Sequence, residues 1–191
     1  MSVGRLVTST LVFVIATCLI IYVETAPKKR NYVLQVTRVD KPYGDGKYVS
    51  FKSLKAAKFN RTMSVLKGTF SFLQDIPEDT TVVMETYQKI GGGNYGKGPI
   101  ALPETSLCNF IAADDLVYAE ISRCTGLPRK CPLKKIDINI DNYDINKSNL
   151  PPELPPPNEW MAELNLTHKK TKATMLSIRL YFTIEHKGNA G

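Results

Sequence analysis

Gly91–Gly98 reads GGGNYGKG, with Gly96-Lys97 at the spacing from Gly91 that a phosphate-binding loop uses. That chemistry needs Ser or Thr after the lysine to meet a metal ion, and a helix N-terminus facing the phosphates. Gly98 stands where the hydroxyl should be. Pro99 follows at once and Pro103 soon after, so no helix starts in the required place. The stretch predicts a hairpin or lip loop. Two carboxylate pairs, Asp114-Asp115 and Asp137 with Asp141, are available for acid–base work. The first has the setting of loop or helix-end acids, and the second shares a strand face with Asn139, which reads as a solvated surface. The two histidines, His168 and His186, form no zinc pattern with the cysteines, and no G-x-S-x-G elbow is present. These residues predict a protein that binds rather than reacts, with no enzymatic activity, no cofactor and no metal.

The elements around these groups read as strands. NYVLQVTRV, KYVSF, RTMSVLKGTFSFL and TTVVMETYQKI follow one another with turn signals between them. Apolar parity changes from Met63 and Val65 to Phe70 and Phe72 across Gly68, the pattern a β-bulge produces. Alternation returns at Ile136, Ile138 and Ile140, through Trp160–Leu166, and from Leu176 to Ile184. TSLCNFIAADDLVYAEI is the one helical candidate, with Thr105 or Ser106 as its cap. Asp114 falls on the apolar side, so two short helical pieces compete with one helix. The prolines after Leu150 end the strand before them. Many short strands with one short helical insertion predict a mainly β sandwich or cup.

Arg5 followed by an uncharged apolar run, Leu6–Val23, has the form of a secretory signal. A cut near Thr25 or Ala26 gives a leader over residues 1–25 and one β domain over 26–191. An uncleaved anchor is the rival, since the run is near the lower limit of spanning length and Lys28–Arg30 follow it. Sequons at Asn60, Asn146 and Asn165 favour a secreted, extracellular glycoprotein. Beyond the leader Cys108, Cys124 and Cys131 remain, so one pair is expected and one thiol left over, with the pairing open. The formal charge of +7 and pI near 9.2 do not lead to nucleic acid, because the lysines are dispersed and no nucleic-acid motif accompanies them. Anionic surfaces or lipid headgroups fit such a charge better.

FNRTMSVLKGTFSF, SLCNFIAADDLVY, TGLPRKCPLKKIDINIDNYDINKSNLPPELP and IRLYFTIE resemble, in the same order, an insect family of small secreted proteins. This is the ML-type lipid-recognition group, similar to the ganglioside activator, that includes the chemosensory B-type proteins. The resemblance implies an immunoglobulin-like β-sandwich opened into a lipid-binding cup, and Cys108–Cys131 as the disulfide. It departs from the family at Lys135-Ile136, where a glycine is usual, and in the additional Cys124.

The expected function is a secreted, non-enzymatic binder of a lipid or hydrophobic semiochemical, chemosensory or lipid-handling. Phe70, Phe72, Trp160, Leu164, Ile178 and Leu180 are expected to line its cavity. Expected partners are the hydrophobic molecule, a membrane surface and a receptor or co-receptor protein, with no nucleic acid. The alternative is an extracellular protein-interaction module of the same fold with a filled core.

Overall fold

The computed structural model describes residues 30–40, 43–44, 46–147, 150–156 and 158–187. The expected leader lies outside the described residues. Residues Asn31–Gly191 form one compact unit. In chain order that unit holds β1 (Tyr32–Val39), β2 (Val49–Phe51), β3 (Lys55–Lys58), β4 (Ser64–Phe72), β5 (Thr80–Gly91) and β6 (Asn94–Ser106). After these come α1 (Leu107–Ala113), α2 (Val117–Thr125), β7 (Ile136–Tyr143), a 3-10 turn (Ile145–Lys147), β8 (Glu159–His168) and β9 (Thr174–His186).

The strands form two antiparallel sheets, the mainly β sandwich that the alternation predicts. One is five-stranded in the order β1-β9-β8-β5-β6. In the other, β4 is central, with β2 and β3 pairing successive halves of one edge and β7 pairing the opposite edge. Val36, Val82, Leu166 and Leu176 from the first sheet meet Leu66, Phe70, Phe72, Ile138 and Ile140 from the second in one buried cluster, which α1 closes with Leu107, Phe110 and Ile111. A second cluster, Tyr32, Leu34, Trp160 and Ile184, lies under Leu150 and Leu154 of the proline loop.

Local chemistry explains the breaks. The ladder between β4 and β7 slips between Leu66 and Gly68, where the parity change predicts a bulge. The extra residue sits on β7, where Asn142 takes a positive φ of 48°. Gly68 is required because a Cβ there would lie 2.4 Å from the Ser53 carbonyl oxygen, where the chain bends from β2 to β3. The helical candidate forms two helices. Ser106 caps the first, its Oγ accepting from the Asn109 N–H at 3.1 Å. Asp114 leaves helical geometry and its Oδ1 accepts from the Tyr118 N–H at 2.8 Å, so one residue ends α1 with its backbone and starts α2 with its carboxylate. The 13-residue β6 is not expected from propensity, since it carries Pro99 and Pro103. It is an edge strand whose ladder to β5 slips repeatedly, and prolines are tolerated there.

Candidate functional site

The inner face of the five-stranded sheet is built from cross-strand pairs. Trp160–Phe182, Ala162–Leu180, Leu164–Ile178 and Leu166–Leu176 are successive partners of β8 and β9. The ends of this row are closed: Trp160 is 2% exposed and Leu166 4%. Between them Ala162, Leu164, Ile178 and Leu180 are only half-buried. An apolar band with accessible surface thus separates two closed clusters on one sheet face. Such a band offers acyl or aromatic groups burial without any directional bond.

The six residues expected to line a cavity divide between these environments. Leu164, Ile178 and Leu180 lie in the half-buried band. Phe70, Phe72 and Trp160 lie in closed packing: Phe70 stacks on Phe51 at 5.5 Å and meets Phe72 edge-on at 5.9 Å, while Trp160 stacks on Phe182 at 6.4 Å. Two open clefts lie on the other faces of the sheets. One, about 310 Å³, is bordered by Arg38, Lys89, Tyr95, Glu159 and Tyr181. Its charges are paired, Lys89 with Glu159 at 2.8 Å and Arg38 with Asp40 at 2.9 Å. The other, about 270 Å³, is bordered by Lys52, Thr69, Ser71, Asp137 and Asn139 over Phe70 and Ile138.

The remaining candidates have structural partners. Gly91, Gly92 and Gly93 all take positive φ in the tight turn from β5 to β6, so the glycine-rich stretch is a hairpin. Asp114 caps α2, and Asp115 pairs with Arg129 at 2.7 Å. Asp137 accepts from the Ser71 hydroxyl. His168 faces Asp79 at 3.7 Å, and no three metal-ligating side chains come together among the described residues. Cys108 and Cys131 are bonded, as the resemblance implies, tying the first turn of α1 to the segment before β7. Cys124 is a free, half-buried thiol on α2, and burial pushes it up to about 12. Beside it Arg123 donates to Glu120 at 2.8 Å, and the Tyr143 hydroxyl donates to the same carboxylate at 2.5 Å. Burial, followed by this bond, raises the Tyr143 phenol. On the five-stranded sheet, the bond to Glu85 and then burial raise Tyr87 to about 12.

The sequons occupy different settings. Asn60 is exposed in the β3–β4 turn, with Thr62 Oγ1 3.2 Å from its Oδ1. Asn165 is half-buried in mid-strand, on the face away from Leu164. The Asn146 carboxamide grips β1: Oδ1 accepts from the Leu34 N–H at 2.7 Å, and Nδ2 donates to the Leu34 carbonyl at 2.8 Å. Because β1 is an edge strand, the side chain replaces the missing neighbour. Gln35 does the same between the sheets, donating to the Thr62 carbonyl at 2.5 Å and accepting from the Ser64 N–H at 2.9 Å. Sequence reasoning misses both ties, since their partners are far along the chain.

A family model described as a protein of unknown function, DUF1091, matches residues 82–161. The matched span runs from β5 to the start of β8 and includes both helices, the disulfide and the proline loop. No curated protein matches the chain.

Proposed function

We propose that the protein is a secreted, non-enzymatic binder of a lipid or hydrophobic semiochemical, chemosensory or lipid-handling in role. The observation that carries this reading is the half-buried apolar band Leu164–Ile178 and Ala162–Leu180 on the inner sheet face. A ten-carbon chain laid on that band gains about 8 kcal/mol from burial before ordering costs, at about 0.8 kcal/mol per methylene. The disulfide fits an oxidising compartment. The likeness to the ML-type group adds the lipid and the insect chemosensory setting, with a membrane surface and a receptor as partners.

The test uses full-length protein secreted from insect cells. Native mass spectrometry reads any co-purified lipid, and a fluorescent fatty acid reads uptake. Leu180→Asn is expected to weaken uptake at least about tenfold, the loss of roughly two buried methylenes. No bound lipid and no saturable uptake by the wild-type protein would overturn the reading. In that case the second reading takes its place, an extracellular protein-interaction module with a filled core. The closed packing of Phe70, Phe72 and Trp160 favours it.

A further inference from the structure

Residues 46–74 hold six Lys or Arg and no Asp or Glu, so this one stretch accounts for six of the seven units of formal net charge. The stretch builds β2, β3 and β4. Lys52, Lys55, Lys58, Arg61 and Lys67 are all exposed. None of the five has an ion-pair partner among the described residues, whereas Lys89, Lys97, Arg123, Arg129, Lys134 and Arg179 all do.

Register makes the concentration sharper. Lys55 is the direct cross-strand partner of Lys67, a like-charge pairing that disfavours the fold. From Lys67 the same strand face continues to Thr69 and Ser71, with Asn139 and Asp137 opposite them on β7. Thr69 and the Ser53 hydroxyl lie 3.3 Å apart, next to Lys52. Thr69, Ser71, Asn139 and the Asp137 carboxylate border the open cleft of about 270 Å³ above Phe70 and Ile138, and Lys52 is on its rim. Unpaired cations thus adjoin a shallow trough of hydrogen-bonding groups.

We infer that this face binds a sulfated glycosaminoglycan chain, with its sulfates on Lys52, Lys55 and Lys67 and its sugar hydroxyls in the trough. Exposed basic clusters of this kind are heparin-type patches, and a disulfide-bonded domain fits the extracellular space where such chains occur. A bilayer is the lesser match. Phe59, 57% exposed at the β3–β4 turn, is the one large apolar group exposed between Lys52 and Lys67; the trough has Phe70 and Ile138 at its base, but the five other residues that border it are polar or charged. The site faces away from the apolar band and does not depend on it.

The test measures binding of a size-defined heparin oligosaccharide to the full-length secreted glycoprotein at 0.15 M NaCl, then at higher salt. The wild type is expected to bind with an affinity that falls steeply with salt. Lys52→Glu with Lys67→Glu is expected to weaken binding at least about tenfold, because each site gives up a charge-assisted bond to sulfate. Thermal stability should hold, since the carboxylate that Lys67→Glu introduces would attract Lys55. Should that variant fail to fold, Lys55→Gln with Lys67→Gln replaces it. Lys169→Glu with Lys170→Glu, exposed residues in the β8–β9 turn, imposes the same change in total charge. The inference is overturned by three results: no heparin binding at 0.15 M NaCl, equal weakening by the β8–β9 control, or loss only of phosphatidylserine-vesicle binding on Phe59→Ser with heparin binding unaffected by the lysine changes. Fatty-acid uptake should be the same in all these variants, so its absence bears on the carrier reading alone.

Discussion

Asn146 carries a sequon, yet its carboxamide already has a structural task. Both backbone groups of Leu34 that point away from β9 are satisfied by this one side chain, and Leu34 itself is 2% exposed. Asn146→Ala removes both bonds and leaves a donor and an acceptor unpaired beneath the proline loop. Each such group costs about 1–3 kcal/mol when water cannot reach it. Because β1 is an edge strand, some rehydration follows, and the expected loss is about 2–4 kcal/mol. For a domain of this size that corresponds to a fall in Tm of roughly 5–15 °C. Asn146→Asp separates the two bonds: the carboxylate still accepts from the Leu34 N–H but has no donor for the carbonyl, so a substantial part of the loss should remain. The assay is thermal unfolding followed by circular dichroism on the secreted protein. Peptide mapping by mass spectrometry should find glycan on Asn60 and bare Asn146, because Nδ2 already donates to the Leu34 carbonyl at 2.8 Å and to Asp144 at 3.1 Å. A Tm shift below about 2 °C for Asn146→Ala, or a glycan on Asn146 in the folded protein, would refute the reasoning.

Three further outcomes follow from the cysteines. Burial raises the Cys124 thiol to about 12 from its ordinary 9, so its thiolate fraction at pH 8 is about a thousandfold below that of an open cysteine. Alkylation by iodoacetamide should be slower by a comparable factor in the native protein and rapid in denaturant; equal rates would show an accessible thiol. The sign for stability follows: a raised acid favours the protonated form in the folded state, so this contribution is present below pH 9 and fades as pH rises toward 12. Replacing both Cys108 and Cys131 by Ser opens a loop with a sequence separation of 23. The chain-entropy model gives a loss of about 3 kcal/mol, read as a lower urea midpoint, and an unchanged midpoint would remove the crosslink from any role in stability.

The elements were legible where one residue type meets one environment. Ile138 and Ile140 alternate with exposed Asp137 and Asn139, and the core lies on the isoleucine side, 2% and 5% exposed. Asp114 on an apolar helix side left one helix and two short pieces both open, and the break between α1 and α2 falls there because a short carboxylate caps a helix more readily than it joins a core. The β6 strand was hidden, since its two prolines argue against a strand until the sheet places it at an edge. The ties made by Gln35 and Asn146 were hidden for another reason. A carboxamide has the same donor and acceptor as a peptide group, so it can stand in for a strand wherever the fold brings it.

Charge and apolar lining both depend on neighbours that one-dimensional reading lacks, the adjacent strand for the first and the opposite layer for the second. Along the chain the lysines look dispersed, because Lys55 and Lys67 are well apart in sequence. Antiparallel pairing sets them face to face and collects the unpaired charge on β3 and β4. The same holds for Leu164 and Leu166, two residues apart on one strand and one face. Leu166 belongs to the cluster that α1 closes and is core. Leu164, one step nearer the middle of the strand, remains half-buried. Alternation assigns both to the inner face; the packing opposite decides which of them is closed off and which keeps exposed surface.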